Sequence, residues 1–436
     1  MKVMMLLQDF LPYPSGNGAC VMTWGLLAEL VDRGHEVTIL RYEKKAVPRW
    51  PWLHKAHGLI AGMNVNVVDV EPVAAARGQR ERGRFDTLVQ LGRRVVRPRL
   101  EDQYPLRVPA ASIAKAIEQS APDVLYAFDM NAICLATTLG SPAPIVASII
   151  DLPNEWLRWQ RVYKLRDRRF GPLLNLLDTW AHRNIGAQTL GRLRACDAVI
   201  EHAFHHAAYL RKNGVSCSYL PNPVQDPGER SPASPPVEPR SKSRPLKVAM
   251  LGSNRGLATI AGLDFFNKQI VPALTDEDRT RMEFHVIGGD DPPRSILKRL
   301  KQESAVIIRG HVEDIGAEYV SADVVLVPTP IDLGFRTRIA EAMGYGAVVV
   351  AHRANAEGMP ELVDDKNCVL RVAGPDLLEA IRALGANPSR AAAIRSSARD
   401  TFEKHYASTV VAGQMIAVMQ GCFDERRSRL AERVDA

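Results

Sequence analysis

The densest set of reactive side chains lies between Pro328 and Met343. Arg336 and Arg338 stand one residue apart just after Gly334, and Glu341 follows Arg338 by three positions. The apolar run Val324–Val327 precedes them. That order predicts strand, loop, then a helix starting near Thr337. A helix start already favours anions, because its first N–H groups lack partners and its dipole points its positive end there. Guanidinium groups bind phosphate oxygens through paired hydrogen bonds. The chemistry expected at this point is therefore the grip of a diphosphate. Glu341 shares a helix face with Arg338 and could accept hydrogen bonds from ribose hydroxyls. The same spacing equally suits a surface Arg338–Glu341 ion pair.

A second phosphate candidate is the turn Gly252-Ser253-Asn254-Arg255-Gly256 after the apolar run Lys247–Leu251. Glycine there lets backbone N–H groups come close to an anion. The stretch from Gly16 through Gly18 to Val21 is one glycine short of a dinucleotide fingerprint, so NAD is not expected. Asp151 ends the apolar run Ile145–Ile150; it would bind an acceptor hydroxyl or cap the next turn. His35 follows the helix-ending Gly34 and reads as structural. His202, His205 and His206 are expected on a partly exposed helix without carboxylates at metal spacing, so no metal is expected.

These residues need a scaffold that brings strand ends together. Lys2–Leu7, helix Ala19–Arg33 and Glu36–Leu40 form a first βαβ unit. Strands are predicted at Val65–Val70, Val124–Phe128, Ile145–Ile150 and Ala198–Ile200. A second series starts at Lys247, with a helix over Ala261–Leu274 and strands at Phe284–Ile287, Ala305–Ile308, Val324–Val327 and Ala347–Ala351. Alternating strands and helices predict an α/β class with parallel sheets covered on both faces. Between the two series, Asp226–Pro245 holds six prolines and almost nothing apolar, the composition of a linker. The domains expected are 1–224, a linker over 225–245, and 246–409. A final amphipathic helix is expected over 410–436. Open sheets bind ligands at the carboxyl ends of their strands, so two such domains are expected to face across a cleft.

The 436 residues are 46% hydrophobic and 24% charged, ordinary for a chain that buries a large core. No apolar run reaches membrane-helix length. The six cysteines are scattered without a paired motif, which fits a reducing, cytoplasmic setting. Charge is uneven. Residues 1–224 hold 28 basic against 20 acidic side chains, the remainder 28 against 29. The basic stretches Arg77–Arg107 and Arg158–Arg169 read as solvated helix faces, or as attraction to anionic lipid at the inner membrane face or to an acidic acceptor. No nucleic-acid motif accompanies them.

Taken in order, several stretches resemble the retaining GT-B glycosyltransferases of family 4. They are Leu11–Gly18 with Arg33–Thr38, Tyr219–Val224, Gly252–Phe266 with Val286–Gly289, Gly310–Asp314, and Gly334–Met343 with Gly346–Val350. The resemblance covers nearly the whole chain. It implies two Rossmann-like domains with the donor in the second, and a nucleoside-diphosphate sugar as substrate. It also implies transfer to an acceptor hydroxyl in polysaccharide, glycolipid or glycoside synthesis, with no metal or other cofactor. Arg336 and Arg338 would hold the diphosphate and Glu341 the ribose. Gly252, Ser253 and Arg255 would add phosphate contacts, and the backbone of His311 and Val312 would touch the base. Gly16 and Gly18 would close over the sugar, and the last helix would return to the first domain. Two departures stand out. Leu333 occupies the place of the family's first glutamate, and Arg338 that of its lysine. A nucleotide-sugar epimerase of the same fold and a noncatalytic nucleotide-sugar binder are the alternatives.

Overall fold

The computed structural model describes the chain except residues 15–16, 43–52, 71–99, 101–109, 165–179, 181–182, 230–243, 290 and 435–436. The Arg77–Arg107 stretch, apart from Leu100, lies outside the described residues, as does Gly16.

The chain divides into two compact units, Met1–Leu220 with Ala412–Ala436, and Pro221–Val411. In unit 1 the strands are β1 (Lys2–Gln8), β2 (Glu36–Tyr42), β3 (Asn66–Val70), β4 (Val124–Phe128), β5 (Ile145–Ile149), β6 (Ala198–Glu201) and β7 (Cys217–Tyr219). All pair in parallel, in the order β3-β2-β1-β4-β5-β6-β7. Helices α1 (Gly18–Asp32), α2 (Leu53–Ala61), α3 (Ala110–Ser120), α4 (Asp129–Leu139), α5 (Pro153–Lys164), α6 (Ile185–Arg194) and α7 (Phe204–Lys212) lie between them in sequence. Gly34, at φ 74°, ends the turn after α1, and His35 Nδ1 meets the terminal amine at 3.2 Å, the structural placement expected of it.

Unit 2 repeats the architecture. Strands β8 (Leu246–Leu251), β9 (Met282–Ile287), β10 (Val306–Gly310), β11 (Val324–Val327), β12 (Val349–His352) and β13 (Val369–Arg371) run parallel in the order β10-β9-β8-β11-β12-β13. Its helices are α8 (Leu257–Phe265), α9 (Asp276–Arg281), α10 (Arg294–Leu300), α11 (Ile315–Ser321), α12 (Thr337–Gly344), α13 (Gly374–Ala386) and α14 (Pro388–His405). The continuous apolar strands are explained by burial on both faces. Ala249, Leu251, Val325 and Val327 join one core, whereas Val248, Met250, Val324 and Leu326 join the other.

Some expectations shift. The helix expected over Ala261–Leu274 starts earlier and leaves α geometry at Phe266, passing through a π turn and a 3-10 turn at Val271–Ala273. Pro272, which has no N–H to donate, sits in that change. Strands β7 and β13 have three residues each, too short for an apolar pattern to announce. The first domain ends at Leu220 rather than 224. Val224 is tied to unit 2 by its own N–H on Tyr406 O (2.9 Å) and by Ser408 N–H on its carbonyl (2.8 Å). The described ends of the expected linker are also fixed to unit 2. Asp226 pairs with Arg399 at 2.6 Å, and Arg244 with Asp323 at 2.8 Å. The last helix, α15 (Ser408–Val434), starts in unit 2, and from Ala412 it belongs to unit 1. There Gly413 lies so close to Arg33 that a Cβ would meet its Nη2 at 2.7 Å.

The histidines also differ from expectation. His202 precedes α7 and is fully buried, with Nε2 2.8 Å from Ser148 Oγ and Nδ1 2.7 Å from Leu220 O. His206 is buried against Glu201 at 3.5 Å. Of the three histidines, only His205 is partly exposed on α7. Among the described residues no group of histidines, cysteines and carboxylates could hold a metal ion, and no helix is long and apolar enough to cross a membrane.

Candidate functional site: an arginine over glycine at the strand-order reversal of unit 2

In unit 2 the strand order reverses between β8 and β11. The chains leaving these strands run to opposite sides and leave a crevice at their carboxyl ends. The two loops singled out by sequence both start there. Gly252 follows β8, and Pro328 follows β11.

Arg338 spans the reversal. It is in the first turn of α12, yet its Nη1 donates to Leu251 O at the end of β8 (2.8 Å) and its Nη2 to Thr259 Oγ1 in α8 (2.8 Å). These bonds use two of the five N–H groups of a guanidinium. The residue beneath must be glycine. A Cβ on Gly252 would lie 2.8 Å from the Arg338 Cζ, and Gly252 sits at φ 140°, where side chains are strained. The neighbouring strand ends are equally tight. Gly288 N–H donates to Gly310 O at 2.9 Å, and a Cβ on Gly288 would stand 2.1 Å from Gly252 O. Ser253 and Arg255 are exposed on this turn. His311, exposed, and Val312, partly buried, follow Gly310, with His311 Nδ1 3.7 Å from where a Cβ of Gly289 would be. The glycine-lined ends of β8, β9 and β10 therefore stand side by side, with Arg338 at their margin.

Glu341, one turn into α12, accepts a hydrogen bond from the Tyr319 hydroxyl of α11 at 2.9 Å. Tyr319 itself is buried and stacks on Tyr345 with ring centroids 5.3 Å apart. Burial of the Glu341 carboxyl raises its pKa to about 7, against the Tyr319 donor and the Arg338 charge, which both pull it down. Burial likewise lowers the pKa of Arg338, opposed by Tyr319 and Glu341. In place of the alternative Arg338–Glu341 surface pair, the structure has a Tyr319–Glu341 hydrogen bond and an Arg338 bonded to β8 and α8. Sequence reasoning missed Tyr319, which lies 22 positions before Glu341 on another helix and carries no motif.

Arg336 behaves differently. It stands at the N-cap of α12, is 5% exposed, and turns back into the preceding loop. Its Nε donates to Asn355 Oδ1 (3.0 Å), its Nη2 to Ile331 O (2.9 Å) and its Nη1 to Leu333 O. Asn355 in turn donates to His352 O at 2.6 Å and to Thr329 O at 3.3 Å. Sequence reading made Arg336 a partner of Arg338 on the anion. In the structure Arg336 clasps the loop between β11 and α12 against the end of β12, whereas Arg338 bonds to β8 and α8. The start of α12 is fastened from another side by Asn222, whose Nδ2 donates to Thr337 Oγ1 at 2.8 Å. Leu333 is 4% exposed, so its side chain is part of the loop's apolar interior.

Of the residues predicted in unit 1, Gly18 is exposed at the start of α1, where Asn17 Oδ1 caps the helix by accepting from Cys20 N–H at 3.0 Å. Asp151 is partly buried just beyond β5.

Residues 247–387 match the family model described as Glycosyl transferases group 1. No curated protein matches the chain. Among solved structures, HepE from Anabaena in complex with UDP aligns at 14% identity over 97% of this chain and 100% of its own, with a TM-score of 0.63. Sucrose-phosphate synthase from Thermosynechococcus elongatus aligns at 14% identity over 97% and 99%, with a TM-score of 0.64. WaaG, a glycosyltransferase involved in lipopolysaccharide biosynthesis, aligns at 14% over 96% and 100%, with a TM-score of 0.62. These likenesses show the GT-B fold across the chain.

Two outcomes follow from this geometry. Arg336→Ala leaves Asn355 Oδ1 and two buried carbonyls without a donor, so it should cost about 1–3 kcal/mol and lower the melting temperature; a melt equal to wild type would show the clasp to be dispensable. Tyr319→Phe removes the donor that holds Glu341 down, so the carboxyl should titrate above its wild-type value near 7. Carbon NMR of glutamate-labelled protein, with Glu341→Gln to assign the signal, reads that shift.

Proposed function

We propose that this glycosyltransferase, whose second unit contains a group 1 domain, moves a sugar from a nucleoside-diphosphate sugar to an acceptor hydroxyl, with the donor held by unit 2. The observation that carries this reading is Arg338 laid over Gly252 at the strand-order reversal, with Glu341 one helical turn away. In that arrangement Arg338 neutralises the departing diphosphate, whose charge grows as the glycosidic bond breaks. The backbone of Gly252 and Ser253 and the Arg255 side chain add contacts to the phosphates. Glu341 accepts hydrogen bonds from ribose hydroxyls. The backbone of His311 and Val312 meets the base. Fixed guanidinium charge takes the part a divalent ion would play, so the reading requires no metal. UDP is the first nucleotide to try, because HepE was solved with it.

In unit 1, Asp151 and the loop through Gly16 and Gly18 serve the acceptor and the transferred sugar. Retention of configuration, by front-face attack in which the donor phosphate takes the acceptor proton, is the stereochemical course favoured by the family resemblance. The basic balance of residues 1–224 favours an anionic or lipid-linked acceptor, met at the cytoplasmic membrane face, and synthesis of a polysaccharide or glycolipid. Leu333 supports the competing reading of a noncatalytic nucleotide-sugar binder, since the family places a glutamate there. Sugar transfer to any acceptor separates the two.

The first test is thermal stability against UDP, GDP, ADP and TDP and their sugar conjugates, because a ligand that binds only the folded state raises the melting temperature. One base should give a selective rise that Arg338→Ala removes. No rise with any nucleotide would overturn the donor assignment. A second test uses pH. Ribose hydroxyls bind the carboxylate form of Glu341 best, so affinity for the nucleotide sugar should be full above about pH 7 and decline below it. The sugar conjugate is used because its diphosphate does not titrate there. Glu341→Gln should flatten the profile, and an unaltered inflection in that variant would remove Glu341 from the ribose.

A further inference from the structure

Five of the seven exposed large apolar side chains described in unit 1 lie on one group of elements. They are Trp156 (39% exposed) and Val162 (45%) on α5, Trp180 (51%) ahead of α6, and Phe204 (41%) and Tyr209 (37%) on α7. These elements converge at Gly186, where a Cβ would meet the Tyr209 hydroxyl at 3.8 Å and Asn154 at 3.9 Å. Leu157 turns the opposite side of α5 into the core. The helix periodicity then aligns Trp156, Trp159 and Tyr163 in one stripe, with Val162 and Arg158 beside it.

Cations accompany the indoles. The Arg158 guanidinium lies 5.2 Å from the centre of the Trp159 ring, and that of Arg183 3.5 Å from the Trp180 ring. Arg158 also meets Glu155 at 3.2 Å, an exposed pair that an external phosphate can exchange. α5 carries Arg158, Arg161 and Lys164 against Glu155 alone. A contiguous apolar patch left in water marks an interaction site. Indole rings settle at the boundary between acyl chains and head groups, and guanidinium groups take up head-group phosphates. Unit 1 as a whole is basic, which draws it toward an anionic surface.

We infer that the face formed by α5, Trp180 with its Arg183 partner, and α7 docks the protein peripherally on an anionic lipid bilayer, with Trp156 and Trp180 as interfacial anchors. All of these residues belong to unit 1. Such docking deepens the proposed function by giving a lipid-linked acceptor a surface from which to arrive, a consequence that rests on the glycosyltransferase reading.

The experiment is co-sedimentation with phosphatidylcholine vesicles, with and without phosphatidylglycerol, at low and high salt. Wild type should pellet only with the anionic vesicles and be released by salt. Trp156→Ala with Trp180→Ala should lower partitioning by about an order of magnitude, and Arg158→Glu with Arg183→Glu should abolish it. Trp→Phe at both positions should restore most of it. Unchanged melting temperatures show that the variants fold. Wild type left in the supernatant, or equal pelleting by the alanine variant, would overturn the inference. Full competition by millimolar glycerophosphate would do the same, since it would point to an isolated phosphate site. A change in the free protein's sedimentation coefficient in the alanine variant would replace the bilayer with a second copy of the chain. Nucleotide-sugar binding measured on the same samples is read separately, so failure of the donor assignment leaves the membrane result standing.

Discussion

The organisation of unit 2 turns on the close approach of Arg338 to Gly252. An arginine on the helix after β11 reaches across to the end of β8, and it can do so only because the residue that follows β8 has no side chain. Strand order makes the approach possible. With β8 and β11 adjacent and their following chains diverging, the Arg338 guanidinium can reach over from α12 to the end of β8. Had the order run without reversal, a helix connection would cover that strand end. The fold therefore supplies the crevice, and two residue types, glycine and arginine, turn it into a cationic cradle.

Arg336 and Arg338 show how backbone position decides the fate of identical side chains. Arg336 is the N-cap of α12, with non-helical φ of −104°, and its side chain returns to the loop it came from. Arg338 lies inside the first turn, rotated to another side, and meets the neighbouring strand. The motif signals two cations near a helix start, and that much was legible in the sequence. Which one is consumed by the loop depends on acceptors at Ile331, Leu333 and Asn355, two of them backbone carbonyls that leave no trace in residue type.

The same distinction applies to the fold. Long apolar runs such as Val324–Val327 and Val124–Phe128 were legible to the residue, because a strand buried on both faces needs every side chain to be apolar. Edge strands β7 and β13 were not, since three residues carry no periodicity. The boundary at Leu220 was hidden because Pro221–Val224 resembles an extended connector, yet its backbone pairs with residues 406–408. Tyr319 was hidden for a related reason. Its partner is set by tertiary packing of α11 on α12, and only the folded chain brings the two together.

Leu333 bears on how the loop after β11 can act. Its side chain is buried, while its carbonyl accepts from Arg336. A carboxylate placed there in the same conformation would lose its hydration to an apolar interior, a cost of several kcal/mol unless it were paired or protonated. The nearby guanidinium of Arg336 is already committed to three oxygens. The loop is thus built as an apolar plug held by a polar clasp, with Gly334 at φ 67° turning the chain into α12. Under the proposed donor assignment, recognition of the transferred sugar falls to groups outside the Leu333 side chain, and Arg338 is the cation left to meet the leaving diphosphate. In such a division of labour the loop's contribution is rigidity. It fixes the start of α12, and through it the two side chains, Arg338 and Glu341, that stand one helical turn apart.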